Sequence, residues 1–221
     1  MKLRHIIFDC DGVLVDSEPL SLQLDVTILA ENGVTLSLAE AHRRFVGKTF
    51  TAMLAEMAAE TGKHFPPGLS ALKDRRLLEL YATQLQAVTG VRDALLAING
   101  APHSIASNSP VHRVVTAIEL TGLDTFFGNI TTYEQVARGK PEPDVFIEAA
   151  RRVGVSPTDC LVIEDSVTGV TAAMRAGCTV AGFTGTWAHP TAHGQRLKAA
   201  GAAHVFASMA ELPRLVETAH S

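Results

Sequence analysis

The hydrophobic residues of this chain follow two periodicities, and the change between them divides the sequence. Between about Asp16 and Thr89 the apolar positions recur at the spacing of amphipathic helices. Capping residues and glycines bound four such helices, which are predicted over Glu18 to Asn32, from the capping box Ser37-Leu38-Ala39-Glu40, over Thr49 to Thr61 and over Leu69 to Gln86. Four helices joined by short loops indicate a small bundle.

On both sides of this helical stretch, short apolar runs alternate with helical segments. The runs are bounded by turn residues and suit a buried parallel sheet; they are His5-Ile6-Ile7-Phe8, Ser104-Ile105-Ala106, Leu161-Val162-Ile163 and Thr179-Val180-Ala181-Gly182-Phe183. Helices are predicted between them over Ser109 to Gly122, with Ser109 as N-cap and Pro110 at the first position, and over Val167 to Ala176.

The simplest architecture that satisfies both patterns is an α/β fold with a doubly wound, Rossmann-like parallel sheet. Residues 1–16 and 88–221 form the predicted core, and residues 17–87 form a helical domain inserted after the first strand. Two chain crossings join the predicted domains, so the insertion can act as a lid.

Polar clusters follow three of the predicted strands. They are Asp9-Cys10-Asp11-Gly12, Ser107-Asn108-Ser109 and Glu164-Asp165-Ser166. Ligands of open α/β sheets bind beyond the carboxyl ends of the strands, so these clusters can share one crevice. Their four carboxylates would repel one another without a cation, and hard oxygen ligands that retain some waters indicate Mg²⁺.

The same clusters contain the groups that phosphoryl transfer requires. A carboxylate beside a metal can attack phosphorus, and a second acid can protonate the leaving oxygen; Asp9 and Asp11 fit these roles. Ser107, Asn108 and the unpaired N–H groups of the helix that follows offer a cradle for phosphate. The missing fixed cation is assigned to Lys140, on a loop that two nearby prolines stiffen.

Four segments, taken in order, resemble the signature motifs of the haloacid dehalogenase superfamily, in its branch of small phosphatases and β-phosphoglucomutase-like proteins. The segments are Asp9-Cys10-Asp11-Gly12-Val13-Leu14-Val15-Asp16-Ser17, Ser107-Asn108, Lys140-Pro141 and Glu164-Asp165-Ser166. A single Asp-x-Asp-Gly motif would be weak evidence, whereas four segments in the family's order are specific. The resemblance covers nearly the whole chain.

The resemblance implies a role for each residue of the core site. Asp9 would be both nucleophile and metal ligand. Asp11 would be the general acid and base, and would give its main-chain carbonyl to Mg²⁺. Glu164 and Asp165 would complete the metal site.

It also implies how phosphate and substrate are held. Ser107 and Lys140 would hold the phosphoryl oxygens, and the helical insertion would be a cap that closes over the substrate. Gly47-Lys48-Thr49 matches the cap loop that contacts the leaving group. For Lys48 itself, a substrate contact and a solvated position are both open.

The leading function is a phosphatase that acts on a small phosphorylated metabolite through a phospho-aspartate. The alternative is a sugar-phosphate mutase, but β-phosphoglucomutases carry charged residues where this chain has Val46 and Phe50, and a histidine where it has Ser21. A non-catalytic binding protein is a second alternative. It is disfavoured because Asp9 and Asp165 are both present.

The charge and hydropathy of the chain limit the classes of partner that it is expected to bind. Nineteen Lys and Arg against 23 Asp and Glu form no basic stripe, which argues against nucleic acid. The N-terminus reaches charge before any apolar region, and no run approaches about 18 apolar residues, so a cytoplasmic protein without a membrane partner is predicted. A monomer or small homo-oligomer is expected.

Cysteine and histidine suggest no further chemistry. The three cysteines form no CxxC pair and are predicted to be reduced, with Cys10 a buried spacer. His189 and His193 have a spacing that can bind metal, but Pro190 lies between them. A surface loop is therefore predicted there.

Overall fold

The computed structural model describes residues 3–45, 48–98 and 100–220. Its described strands form one six-stranded sheet in which all neighbours are parallel, in the order β3-β2-β1-β4-β5-β6. The strands are β1 (His5–Phe8), β2 (His103–Ser107), β3 (Ile130–Thr132), β4 (Cys160–Glu164), β5 (Thr179–Phe183) and β6 (His204–Phe206). This is the strand order of a doubly wound fold, in which ligands bind where the order reverses.

The register of the central strands determines which residues meet at that point. Phe8 of β1 lies opposite Ile105 of β2 and Ile163 of β4. Asp9, directly after Phe8, is therefore level with the ends of both neighbouring strands, and Glu164 is the last residue of β4.

The described residues divide into two compact units, one up to Asp16 and from Gln86 onward, and the other over Ser17–Leu85. The second unit contains α1 (Glu18–Glu31), α2 (Leu38–Phe45), α3 (Phe50–Thr61) and α4 (Leu69–Gln84). The first contains the sheet with α5 (Val91–Ala97), α6 (Val111–Leu120), α7 (Asp144–Arg152), α8 (Val167–Ala176), α9 (Pro190–Ala199) and α10 (Leu212–His220). None of the described helices has the length and apolar character needed to cross a membrane.

The core of the first unit lies between the sheet and its helices. Ile7, Val162 and Val180, from three adjacent strands, pack in one buried cluster with Phe146 of α7 and Val170 of α8. Strands covered on both faces read as continuous apolar runs, which is why the four central ones are visible in the sequence.

Two local predictions are wrong. Helix α6 begins at Val111 with Pro110 as its N-cap, so Ser109 is not the cap; its hydroxyl bonds to Asp11 instead. The segment from His189 to His193 is not a surface loop, because α9 begins at Pro190. A proline in the first turn of a helix costs no hydrogen bond, since the N–H that it lacks would have had no partner within the helix.

Candidate active site

Three carboxylates converge at the carboxyl ends of β1 and β4. Asp9, Glu164 and Asp165 are all buried, and each offers a carboxylate oxygen within 4.8 Å of the others. Three anions at this distance out of water require compensation by positive charge. Their hard oxygen donors fit Mg²⁺, whose sites commonly combine one or two carboxylates with waters and substrate oxygens.

Lys140 supplies positive charge inside this cluster. Its Nζ donates to Asp9 Oδ1 at 2.7 Å, to Glu164 Oε1 at 2.8 Å and to the Ala106 carbonyl at 3.0 Å. The side chain is only 4% exposed. All three ammonium hydrogens therefore have acceptors, and the lysine ties two of the acids to the end of β2.

Asn108 fixes the backbone from which Lys140 projects. Its Oδ1 accepts from the Lys140 N–H at 2.8 Å, and its Nδ2 donates to the Lys140 carbonyl at 3.0 Å. The Lys140–Pro141 peptide bond is cis. Gly139 leaves room for the amide, because a Cβ there would lie 2.6 Å from Asn108 Oδ1.

Burial and charge act in opposite directions on the central pair. Burial raises the pKa of Asp9 to about 7, and Glu164 and Asp11 add to the increase while Lys140 opposes it. Burial alone would lower the pKa of Lys140, but Asp9 and Glu164 outweigh it and raise that pKa above its ordinary value. The ammonium is therefore a permanent cation in the site.

Asp11 is held by Ser109, which the sequence analysis assigned as a helix cap and not as a site residue. The Ser109 hydroxyl donates to Asp11 Oδ2 at 2.5 Å, and Arg113 donates to the same hydroxyl at 2.9 Å. The Ser109 N–H in turn bonds to the Ser107 hydroxyl at 2.9 Å. Ser109 follows the recognised Ser107-Asn108 pair, which was the available signal.

Two glycines allow the acids to approach the backbone. Gly12 has a φ of +81°, and a Cβ there would lie 2.2 Å from Asp165 Oδ2. A Cβ on Gly169 would lie 1.6 Å from Glu164 Oε1. The positions of Asp165 and Glu164 therefore depend on the absence of a side chain at these two residues.

A further segment that the sequence analysis missed contacts Asp165. The Trp187 indole Nε1 donates to Asp165 Oδ2 at 3.0 Å, and His193 Nε2 bonds to the Asp165 carbonyl at 2.5 Å. Both residues lie more than 20 positions along the chain from Asp165. No local motif marks Trp187, and the spacing of His189 and His193 suggested a metal pair or a surface loop, not a contact with Asp165.

The predicted cap-loop residues lie in the helical unit. Gly47, like Val46, is outside the described residues. Thr49 is the N-cap of α3 and accepts from the Ala52 N–H at 3.2 Å. Lys48 is 44% exposed and pairs with Glu56 at 2.7 Å.

Cys10, between the two aspartates, is buried. Burial raises the pKa of its thiol well above the ordinary value, and the charges of Asp11 and Asp9 raise it further. The thiol is therefore protonated and unreactive, as a spacer would be.

The doubly wound sheet, with acids, a buried lysine and hydroxyls at the ends of its central strands, defines an α/β enzyme. The family model described as a haloacid dehalogenase-like hydrolase matches residues 3–177. The chain belongs to this family. The match, together with the parallel sheet, confirms the predicted superfamily, the α/β fold and the assignment as a hydrolase.

Individual relatives are similar to this chain in sequence and in fold. The 6-phosphogluconate phosphatase of Escherichia coli (strain K12) is 29% identical over 181 residues, covering 81% of each chain. Hexitol phosphatase A of the same strain is 28% identical over 189 residues, covering 81% of this chain and 82% of its own. A crystal structure of a HAD family hydrolase from Deinococcus radiodurans R1, with bound phosphate and sodium, is 35% identical with a TM-score of 0.81, covering 98% of this chain and 96% of its own.

Proposed function

We propose that this chain is a Mg²⁺-dependent phosphatase that hydrolyses a small phosphorylated sugar derivative through a phospho-aspartate at Asp9. The observation that carries the proposal is the geometry around Asp9, which is buried, bonded to Lys140 and adjacent to Glu164 and Asp165. The enzyme class, a phosphoric monoester hydrolase, is that of relatives matching about four fifths of the chain.

The metal would be held by the carboxylates of Asp9, Glu164 and Asp165 and by the main-chain carbonyl of Asp11. When bound, Mg²⁺ supplies Lewis-acid neutralisation of the phosphoryl charge. The close grouping of three buried oxygen ligands supports this assignment.

The residues of the chain perform two displacements at phosphorus. In the first, an oxygen of Asp9 bonds to phosphorus while the bond to the leaving oxygen breaks, and Asp11 gives that oxygen a proton. In the second, Asp11 takes a proton from an attacking water, and the bond from phosphorus to Asp9 breaks. Phosphate leaves, and both aspartates return to their starting states.

Ser107 and Lys140 are the proposed phosphoryl contacts. The Ser107 hydroxyl accepts from the Ser109 N–H, so its own hydrogen can point to a phosphoryl oxygen. Lys140 already uses its three hydrogens on protein acceptors, so a phosphoryl contact requires it to share or exchange one of them. The side chain of Asn108 contributes indirectly, by holding the backbone of Lys140.

The unit over Ser17–Leu85 is proposed to be the cap that selects the leaving group. Gly47, Lys48 and Thr49 are its proposed specificity loop. A sugar derivative is proposed as substrate because the two relatives are named for 6-phosphogluconate and a hexitol.

The test is a phosphate-release screen over sugar phosphates, 6-phosphogluconate, hexitol phosphates, nucleotides and phosphoglycolate. We expect turnover with Mg²⁺, none in excess chelator, and less than a few per cent of the wild-type rate for Asp9→Asn, because an amide is a poor nucleophile. Full activity in chelator would refute the metal assignment. Conversion of a hexose 1-phosphate to its 6-phosphate faster than phosphate release would establish a mutase instead.

A further inference from the structure

The segment between β5 and α9 contacts the proposed metal site at two points. The Thr186 hydroxyl donates to the Gly12 carbonyl at 3.0 Å, and the Trp187 indole donates to Asp165 Oδ2 at 3.0 Å. The first contact anchors the turn that follows the two aspartates, and the second engages a metal-binding carboxylate directly.

The indole is oriented by a second ring. Trp187 and His193 stack with their ring centroids 3.5 Å apart and their planes 8° from parallel. His193 lies in the first turns of α9 and is buried. Helix α9 thus sets the position of the histidine, and the stacked histidine sets the plane of the indole.

The hydrogen bond between His193 and the Asp165 carbonyl shows which ring nitrogen carries the hydrogen. A carbonyl oxygen only accepts, so the hydrogen lies on His193 Nε2. The other nitrogen, Nδ1, is buried and has no hydrogen-bond partner in the part of the chain that the structure describes. The His193 ring therefore bonds to the backbone of Asp165, while the Trp187 indole bonds to the Asp165 side chain.

A hydrogen bond to a ligating carboxylate restricts its rotation before the metal arrives. Outer groups of this kind typically change metal affinity by about 10–100-fold. The same oxygen lies close to the backbone of Gly12, since a Cβ there would come within 2.2 Å of Asp165 Oδ2. The hydrogen bond from Trp187 therefore holds an oxygen that is already packed close to the Gly12 backbone.

We propose that Trp187 and His193 are positioning residues that hold Asp165 in its metal-binding orientation, and that Trp187 reports metal binding through its fluorescence. This inference rests on the proposed metal site. The sequence contains one tryptophan, so intrinsic tryptophan emission comes from this position alone.

The first test uses the unmodified protein. Mg²⁺ alone is titrated into the full chain, and tryptophan emission and calorimetric heat are recorded in parallel. We expect a saturable emission change whose midpoint agrees with the calorimetric Kd, because the charge beside the indole changes when the metal binds. Calorimetric binding without an emission change would overturn the reporter role, whereas no binding by either method would overturn the metal site itself.

The second test uses two variants and a matched control. Trp187→Phe keeps a ring for stacking but loses the N–H, and His193→Phe loses the bond to the Asp165 carbonyl. We expect the calorimetric Kd for Mg²⁺ to rise roughly tenfold in each, with kcat recovering at saturating Mg²⁺. His189→Phe makes the same change as His193→Phe at an exposed position on the same segment and should leave Kd unchanged.

Circular dichroism and melting in chelator distinguish positioning from general stability. A folded Trp187→Phe protein with a Kd within twofold of wild type would overturn the positioning role. A lower melting temperature in chelator with unchanged Kd would do the same. If one variant fails to fold, the other variant and the emission titration still decide the question.

Discussion

Single residues at the site are constrained by contact with charged groups more than by local structure. Gly169 lies inside α8, where alanine would normally be favoured by about 1 kcal/mol. Gly12 occupies a left-handed turn. At both positions a side chain would collide with a carboxylate of the proposed metal site, so glycine serves the chemistry as well as the backbone.

Gly169→Ala should therefore impair the site although it suits the helix. A Cβ would lie 1.6 Å from Glu164 Oε1 and displace that carboxylate. We expect Mg²⁺ affinity by calorimetry to fall by at least about tenfold. Gly128→Ala is the control, because a Cβ there meets nothing within 4 Å. Equal affinities for the two variants would show that Glu164 does not depend on this space.

Lys140→Met should remove a preorganised charge while retaining a long side chain. We expect kcat to fall by about 10²–10³-fold, which corresponds to about 3–4 kcal/mol of barrier. Lys198→Met makes the same change at an exposed lysine of α9 and should leave kcat unaltered. A loss below tenfold for Lys140→Met would remove Lys140 from the catalytic groups.

At the scale of elements, the central strands and most helices could be predicted because their periodicity is local. The strands Ile130–Thr132 and His204–Phe206 were not predicted, since three-residue strands at the sheet edges carry too little pattern. The start of α9 was misjudged because Pro190 was treated as a helix breaker and not as a first-turn residue.

In the candidate site, likewise, the residues that follow a predicted strand could be predicted, whereas those that act through contacts distant in sequence could not. Each acid and the Ser107-Asn108 pair directly follow a predicted strand, so topology indicated that they converge. Ser109 and Trp187 act on Asp11 and Asp165 through contacts between distant parts of the chain, which no spacing rule encodes.

The pairing of β1 with β2 contains a pH-sensitive contact. His5 is 3% exposed and bonds to Ser104 at 2.9 Å; burial, aided by His103, lowers its pKa from 6.5 to about 4. The unfolded chain therefore binds this proton first, and the stability present above pH 6.5 is lost as the pH falls toward 4.

Urea unfolding between pH 7 and pH 4.5 measures this loss. Wild type should lose on the order of 2 kcal/mol more than His5→Asn over that range. His112→Asn, which alters an exposed histidine, should keep the wild-type slope. Parallel profiles for wild type and His5→Asn would contradict the assignment.

At the scale of the whole molecule, the proposed function assigns the reaction to one unit and the choice of substrate to the other. Each unit is compact by itself, and the proposed chemistry lies entirely in the one that contains the sheet. Changes in the helical unit should therefore alter which substrate is used without altering the metal site.

Lys48→Ala tests this division. Removing the ammonium, which pairs with Glu56, should change the ratio of kcat/KM between two substrates by at least about fivefold, while the Mg²⁺ Kd stays constant. Lys63→Ala, at another exposed lysine of the same unit, is the control. Unchanged preference across the substrate panel would indicate that Lys48 serves only its ion pair with Glu56.

The central claim is a covalent phosphoryl group on Asp9, and Asp11→Asn tests it most directly. An aryl phosphate needs little protonation of its leaving group, so the first displacement should proceed in this variant while hydrolysis, which needs Asp11 as base, remains slow. Rapid acid quenching followed by peptide mass measurement should find a phosphoryl group on the peptide containing Asp9, and none when Asp9→Asn is added. A phosphoryl group on another residue, or continued turnover by the double variant, would contradict the account.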